Sequence, residues 1–332
     1  MRGTWIVTTL VLLLASSISA ALLQTAPKAP VQSANDETAF LCPMHPDYTM
    51  DAAGKCPRCG MALVSAAAFD VRDYRLDFKT IPPVVVAGQK ATLLFKISHP
   101  GFDAVIQKFE VVHDRQYHLF VISQDMEYFQ HIHPQQRPDG TWLIDVTLPK
   151  AGYYKVLSDF LPAGGSTQFI ARPLITAGYM GDLAGDSAHL VPDTDRKKTV
   201  DDLTAEVSFD PPTFVAGLYG HLNFRLTDAA TGRAVTDLQT YLGAFGHTLI
   251  MSEDMGDYVH SHPLDISTVS DESGPKSFML PAGVDPETLR GGPEVTFEGL
   301  MPKPGRYRAW TQFRRNNKLY TFSTTFNVAA GE

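Results

Sequence analysis

Apolar runs of about five residues, broken by short polar turns, recur through most of this chain, and one pair of runs occurs twice. The first copy starts at His118, passes Asp125-Met126 and ends at His131-Ile-His133-Pro134. The second starts at His247, passes Asp254-Met255 and ends at His260-Ser-His262-Pro263, with identical spacing of the three His, the Asp-Met pair and the Pro. Two apolar runs around a polar turn predict a β-hairpin. With Gln124 to Glu127 as the turn, Ser123 pairs with Tyr128 and His118 faces His133 across the strands. His131 shares their face because strand side chains alternate with period two. The cross-strand pair would then sit roughly 5 Å apart at Cβ, with His131 diagonal at roughly 7 Å. A slip of one residue would send His118 to the other face.

Three imidazoles on one patch suit a first-row metal. His118, His131 and His133 in the first copy, and His247, His260 and His262 in the second, are therefore candidate ligands. Asp125, Met126, Asp254 and Met255 rank behind them, since Asp suits a turn on its own account. The competing reading is that these histidines only pack or hydrogen-bond.

The duplication extends beyond the hairpin. Pro82-Pro83 through Gly88 aligns with Pro211-Pro212 through Gly217 at the offset of 129 that relates His118 to His247. Pro149 to Lys155 aligns with Pro302 to Arg308 at a larger offset, so the second copy carries an insertion. Short strands, frequent turn residues and little helical periodicity predict an all-β chain of two tandem immunoglobulin-like β-sandwich repeats. The repeats are expected at 70–177 and 203–330, joined by a solvated linker at 178–202. The insertion forms a loop at about 264–293, and His189 in the linker is a surface residue.

The N-terminus adds an address. Arg2, an apolar stretch from Trp5 to Ala15, and small residues before Ala21 read as an export signal over 1–21, cleaved after Ala21 or Ala20. The stretch is short for a membrane span. The mature chain, with no stable membrane span, is expected to be periplasmic or secreted. Residues 22–38, rich in Ala, Pro, Gln and Ser, form a flexible tether.

All three cysteines of the chain fall in the next segment, 39–65. Cys42-Pro-Met44-His45 is followed by ten residues and then Cys56-Pro-Arg-Cys59-Gly-Met61. Two tight knuckles supplying Cys42, His45, Cys56 and Cys59 have the format of a tetrahedral metal site. The alternative, a Cys56–Cys59 disulfide, leaves Cys42 over in an exported protein. Met44 and Met61 are possible additional ligands, and thiolate with thioether favours Cu(I) or Zn(II) over hard cations.

This segment closely resembles the short heavy-metal-binding domain found at the ends of copper-exporting P-type ATPases and of periplasmic adaptor subunits of metal efflux pumps. The resemblance covers residues 40 to 63 and implies copper, silver or zinc as ligand, with a metal efflux pump or metallochaperone as partner. The remainder resembles, more weakly, the duplicated His-containing immunoglobulin-like β-domain proteins fused to that module.

Composition narrows the alternatives. A net charge of −8 argues against nucleic acid. Neither repeat contains Cys, which excludes a blue-copper centre within them. No hydrolase, Walker or dinucleotide motif is present. No carboxylate is clearly placed as a base, and Asp159 in the first copy becomes Gln312 in the second. The expectation is a non-enzymatic, exported protein that binds copper, as Cu(I) or Cu(II), or zinc, and buffers or hands over soft metal ions. An extracytoplasmic adhesion or protein-interaction module with structural His, and a metal-dependent enzyme, are the alternatives.

Overall fold

The computed structural model describes residues 40–42, 48–57, 62–65, 72–101, 104–181, 188–265, 276–277 and 284–331. The export signal, the tether, Met44, His45, Cys59, Met61 and most of the loop insertion lie outside these residues.

Alternating apolar positions build two β-sandwiches, and no α-helix occurs among the described residues. In the first, an outer sheet orders strands Arg75–Ile81, Lys90–Ser98, Trp142–Thr147 and Gln135–Gln136. Its inner sheet orders Gln168–Ile175, Tyr153–Phe160, Tyr117–Ser123 and Phe129–Ile132. Leu93, Phe95 and Ile97 from the outer sheet close on Leu119, Val121 and Val156 from the inner one. The second sandwich repeats this plan. Its outer sheet comprises Lys197–Val200, Leu203–Asp210, Tyr219–Asp228 and Glu294–Leu300. Phe214–Val215, Lys318–Ala329, Gly305–Arg315, His247–Ser252 and Tyr258–Ser261 form the inner sheet. No helix among the described residues is long and apolar enough to cross a membrane.

The inner sheets are buried on both faces. Every residue of Tyr117–Ser123 is buried, as is every residue of His247–Ser252. One face fills its own sandwich, while the other meets the partner repeat in a shared layer of Phe120, Ile122, Met126, Leu157, Leu249, Met251, Met255 and Trp310. Phe129 of the first repeat stacks on Trp310 of the second at 4.9 Å between centroids. Offsets of 129 and 153 map these residues onto one another in pairs, so the layer is approximately two-fold symmetric: Phe120 matches Leu249, and Leu157 matches Trp310. The turn carbonyls follow the same rule. Arg308 donates to Met126 O, and Lys155 donates to Met255 O.

The segment expected as a solvated linker is partly structural. Ala188 and Leu190 are buried in the shared layer, and Lys197–Val200 pairs with Leu203–Asp210 as an edge strand. Small and branched apolar residues in a Gly/Asp-rich context are enough to dock it. His189, between them, is exposed.

The N-terminal module adds a three-stranded sheet of Thr49–Met50, Phe40–Leu41 and Val64–Ser65. Cys42 and Cys56 are fully buried there and cluster with Leu63, and with Val112 and Leu161 of the first sandwich.

Candidate metal centre

The hairpins form in the predicted register. Leu119 pairs with Ile132 and Phe120 with His131, which carries His118 opposite His133; Ser123 N donates to Tyr128 O at the turn end. In the second copy Thr248 pairs with Ser261 and Leu249 with His260, so His247 lies opposite His262. Ring centroids of His118, His131 and His133 are 4.9 to 5.3 Å apart.

The expected pair of separate patches is one centre. His118 and His247 sit on the inter-repeat faces of their strands, so the two patches are pressed together where the shared layer ends. His131 and His247 lie 6.0 Å apart, and His118 and His260 5.5 Å apart, between centroids. The repeats also bond reciprocally. His131 Nδ1 lies 3.0 Å from Gln312 Oε1 of the second repeat, and His260 Nδ1 lies 2.8 Å from Asp159 Oδ2 of the first. Asp159 and Gln312 occupy equivalent positions, Asp159 pairing with His118 and Gln312 with His247 in the sheets.

A seventh imidazole joins from outside the duplicated pattern. His113 sits with Asp114 on a turn in the left-handed region, at φ 48° and 61°, closed by the Val112–Arg115 bridge. The matching turn in the second repeat carries Leu242 and Gly243. His113 stacks on His262 at 3.4 Å and meets His247 edge-on at 5.7 Å. A search for duplicated residues passes over His113 because its counterpart is Leu; its offset from Leu242, the same 129, was the available signal.

Among the described residues, two sets of three ring nitrogens lie within 4.8 Å of one another: His118, His131 and His133, and His113, His247 and His262. Tetrahedral coordination at about 2.0–2.1 Å places ligand nitrogens about 3.3 Å apart, so modest ring rotations close either set on an ion. Six ring nitrogens in the centre are covered yet have no hydrogen-bond partner: Nε2 of His113, His133, His260 and His262, and both nitrogens of His247. Native proteins leave few buried polar atoms unmade, and each costs roughly 1–3 kcal/mol. Six in one centre fit a metal of imidazole preference.

His118 Nε2 meets Val112 O at 2.9 Å and so carries its proton there. With the Gln312 amide donating to Thr321, His131 Nδ1 carries the other ring's proton. The nitrogens left facing each other, His118 Nδ1 and His131 Nε2, are then both unprotonated at 3.0 Å, a spacing that asks for a cation between them. Turning the Gln312 amide over lets His131 donate to His118 instead and closes the pair without an ion.

Burial and the surrounding imidazoles hold these rings neutral, as ligation requires. Burial is the main cause throughout. It brings His118 down to about 4 and His133 to about 3, and holds His113, His131, His247 and His262 well below the usual value.

The second-rank candidates are not at the centre. Asp125 and Asp254 stabilise the far hairpin turns, accepting from Ser123 and Ser252 and pairing with Lys150 and Lys303. Met126 and Met255 pack in the apolar shared layer. Their recurrence is explained by turn geometry and packing, since the turn lies at the opposite end of the hairpin from the histidines. In the N-terminal module, Cys42 and Cys56 are brought into one buried cluster.

Comparison with known proteins gives a family. A family model described as a domain of unknown function (DUF8832) matches residues 70–172 and 198–330, which together make up more than half of the chain. The chain belongs to this family. A second model, described as a heavy metal binding domain, matches residues 40–66 and supports metal binding by the N-terminal module. No curated protein matches. Solved structures similar to the chain include the Escherichia coli adhesin FdeC, at 12% identity over 81% of this chain and 71% of that one, with a TM-score of 0.23. Yersinia pseudotuberculosis InvD matches at 10% identity over 81% and 59%, with a TM-score of 0.23. Trypsin-activated alpha-2-macroglobulin from Escherichia coli matches at 13% over 82% and 17%, with a TM-score of 0.24. Likenesses this low carry no argument about function.

Proposed function

We propose that this chain is an exported metal-binding protein of copper or heavy-metal homeostasis. It captures a soft ion at the Cys/His module and holds further ions at the histidine centre between the repeats, for buffering or handover and without turnover of a substrate. The observation that carries the reading is the set of six covered ring nitrogens with no hydrogen-bond partner. The heavy-metal-binding match at 40–66 supports it independently.

The packing of the module supports transfer between the two sites. Val112, in the same cluster as Cys42 and Cys56, precedes His113, and its carbonyl accepts from His118. Thiolates favour Cu(I), while imidazoles accept Cu(II) and Zn(II) as well. An ion leaving the thiolates would therefore meet a centre of different preference a short way along the same segment. Secretion to the periplasm or medium follows from the Arg2 to Ala21 segment, and a metal efflux pump or metallochaperone is the corresponding partner.

The test is anaerobic titration of the reduced full chain with Cu(I), Cu(II) and Zn(II), beside a Cys56→Ser/Cys59→Ser variant. The variant is expected to lose the tightest site and keep the histidine-bound ions. Unchanged stoichiometry would remove the module from the assignment; a variant that binds nothing would remove the histidine centre.

Asp159 offers a finer check. It orients His260 by accepting from Nδ1, the arrangement by which carboxylates fix metal-ligating imidazoles. Asp159→Asn should weaken ion binding at the centre about 10- to 100-fold without unfolding the protein. Competition titration against a chromophoric chelator measures this, and an unchanged affinity would show that His260 is not part of the site.

A further inference from the structure

We infer that the histidine centre holds two ions, the second gripped jointly by both repeats through His113, His247 and His262. This rests on the metal-binding reading above and goes beyond it in number and in the origin of the ligands. Two equal sites, one per hairpin, would be the expectation from the duplication, but the structure breaks that symmetry. His118, His131 and His133 all come from the first repeat. In the second repeat the ring nitrogen that closes on those of His247 and His262 belongs to His113, also of the first, and not to His260.

The chemistry of the second set is that of an incomplete site. His247 and His262 are buried, at 1% and 6% exposure, and between them leave three ring nitrogens without a partner. Nothing in the packing of the second repeat satisfies them. His113 brings a fourth such nitrogen to the same place from a turn in the left-handed region, a conformation a bulky residue seldom adopts. Leu242, on the matching turn, shows that the fold does not need an imidazole there. His113 is the least buried of the three and stacks on His262. His260 lies between the two sets, 4.7 Å from His262 and 5.5 Å from His118 between centroids, with Nε2 covered and unpartnered. It is placed to complete a fourth position on either ion.

An open cavity of about 570 Å³ adjoins the turn that carries His113. It is lined by Asp114, Arg115, Tyr241, Leu242, Gly243 and Arg314, and the Tyr241 ring packs 5.5 Å from His247. The two turns abut here, since a Cβ on Gly243 would lie 3.3 Å from Asp114 Oδ2. An ion bound at the second set therefore ties the turn of one repeat to the hairpin of the other.

The experiment uses the full chain carrying Cys56→Ser/Cys59→Ser, so that the module is silent, and Cu(II) as probe. Bound copper is counted after gel filtration, and the electron paramagnetic resonance spectrum is recorded. Two ions per chain with a magnetically coupled spectrum are expected. His113→Leu, which installs the residue the second repeat carries, should drop the count to one and leave an isolated Cu(II) signal. His113→Gln should do the same while keeping a polar side chain on the turn. One ion in the parent, or two in both variants, would overturn the inference and leave the metal-binding reading standing. No ion in the parent would overturn the inference and remove the histidine centre from the metal-binding reading, leaving the Cys/His module.

Discussion

Acidification from pH 7.5 to 5.5 is expected to remove about 5 kcal/mol of stability from the metal-free protein. His118, His131, His247 and His262 are buried, and burial holds each below its ordinary value. In the unfolded chain the same rings titrate near 6.5. Below that pH the unfolded state binds protons that the folded state does not, so stability present above about pH 6.5 falls as the pH drops. Each ring costs between about 1 and 2 kcal/mol by pH 5.5, and four together reach the lower end of an ordinary domain's stability. The share of the loss due to His118 levels off only near pH 4, where that ring can take its proton in place. Urea midpoints measured across this range test the expectation. A flat profile would mean that water reaches the rings and the centre is not closed. Bound metal competes for the same nitrogens, so loaded protein should hold its midpoint to lower pH.

The hairpin register was legible because the turn and the apolar runs left one pairing that put three imidazoles on one face. The structure pairs Phe120 with His131 as that argument requires. The union of the two patches was not legible in the same way, because alternation says which residues share a face and not what the face meets. A hint was present. His118, Phe120 and Ile122 on one side and Leu119 and Val121 on the other leave Tyr117–Ser123 apolar on both faces, which an exposed sheet would not tolerate. Recurrence misled at Met126 and Met255, where it preserves packing in the shared layer. It also concealed His113, the ligand candidate without a duplicate. The exchange of Asp159 for Gln312 looked like the loss of a candidate base. In the fold the two side chains receive equivalent histidines from opposite repeats, one through a carboxylate and one through an amide.

Replacing His247 with Leu should make the metal-free protein more stable and the metal-loaded protein less so. Both nitrogens of His247 are covered and have no hydrogen-bond partner, and the ring is 1% exposed. Removing an unmade buried donor and acceptor in favour of a similar apolar shape recovers roughly 1–3 kcal/mol for each group. The same change deletes a ligand from the second set. In the parent, saturating Zn(II) at about a thousand times its dissociation constant should add about 4 kcal/mol per site by mass action. In the variant, one such increment should vanish. Urea denaturation of both proteins, with chelator and with Zn(II), gives the four numbers that decide it. A variant less stable than the parent in chelator would mean that the His247 nitrogens are satisfied in the metal-free state, and the case for a site built around them would fall. Higher stability without metal, coupled to a lost metal increment, is the signature of a buried polar group kept for its ligand and against the interest of the fold.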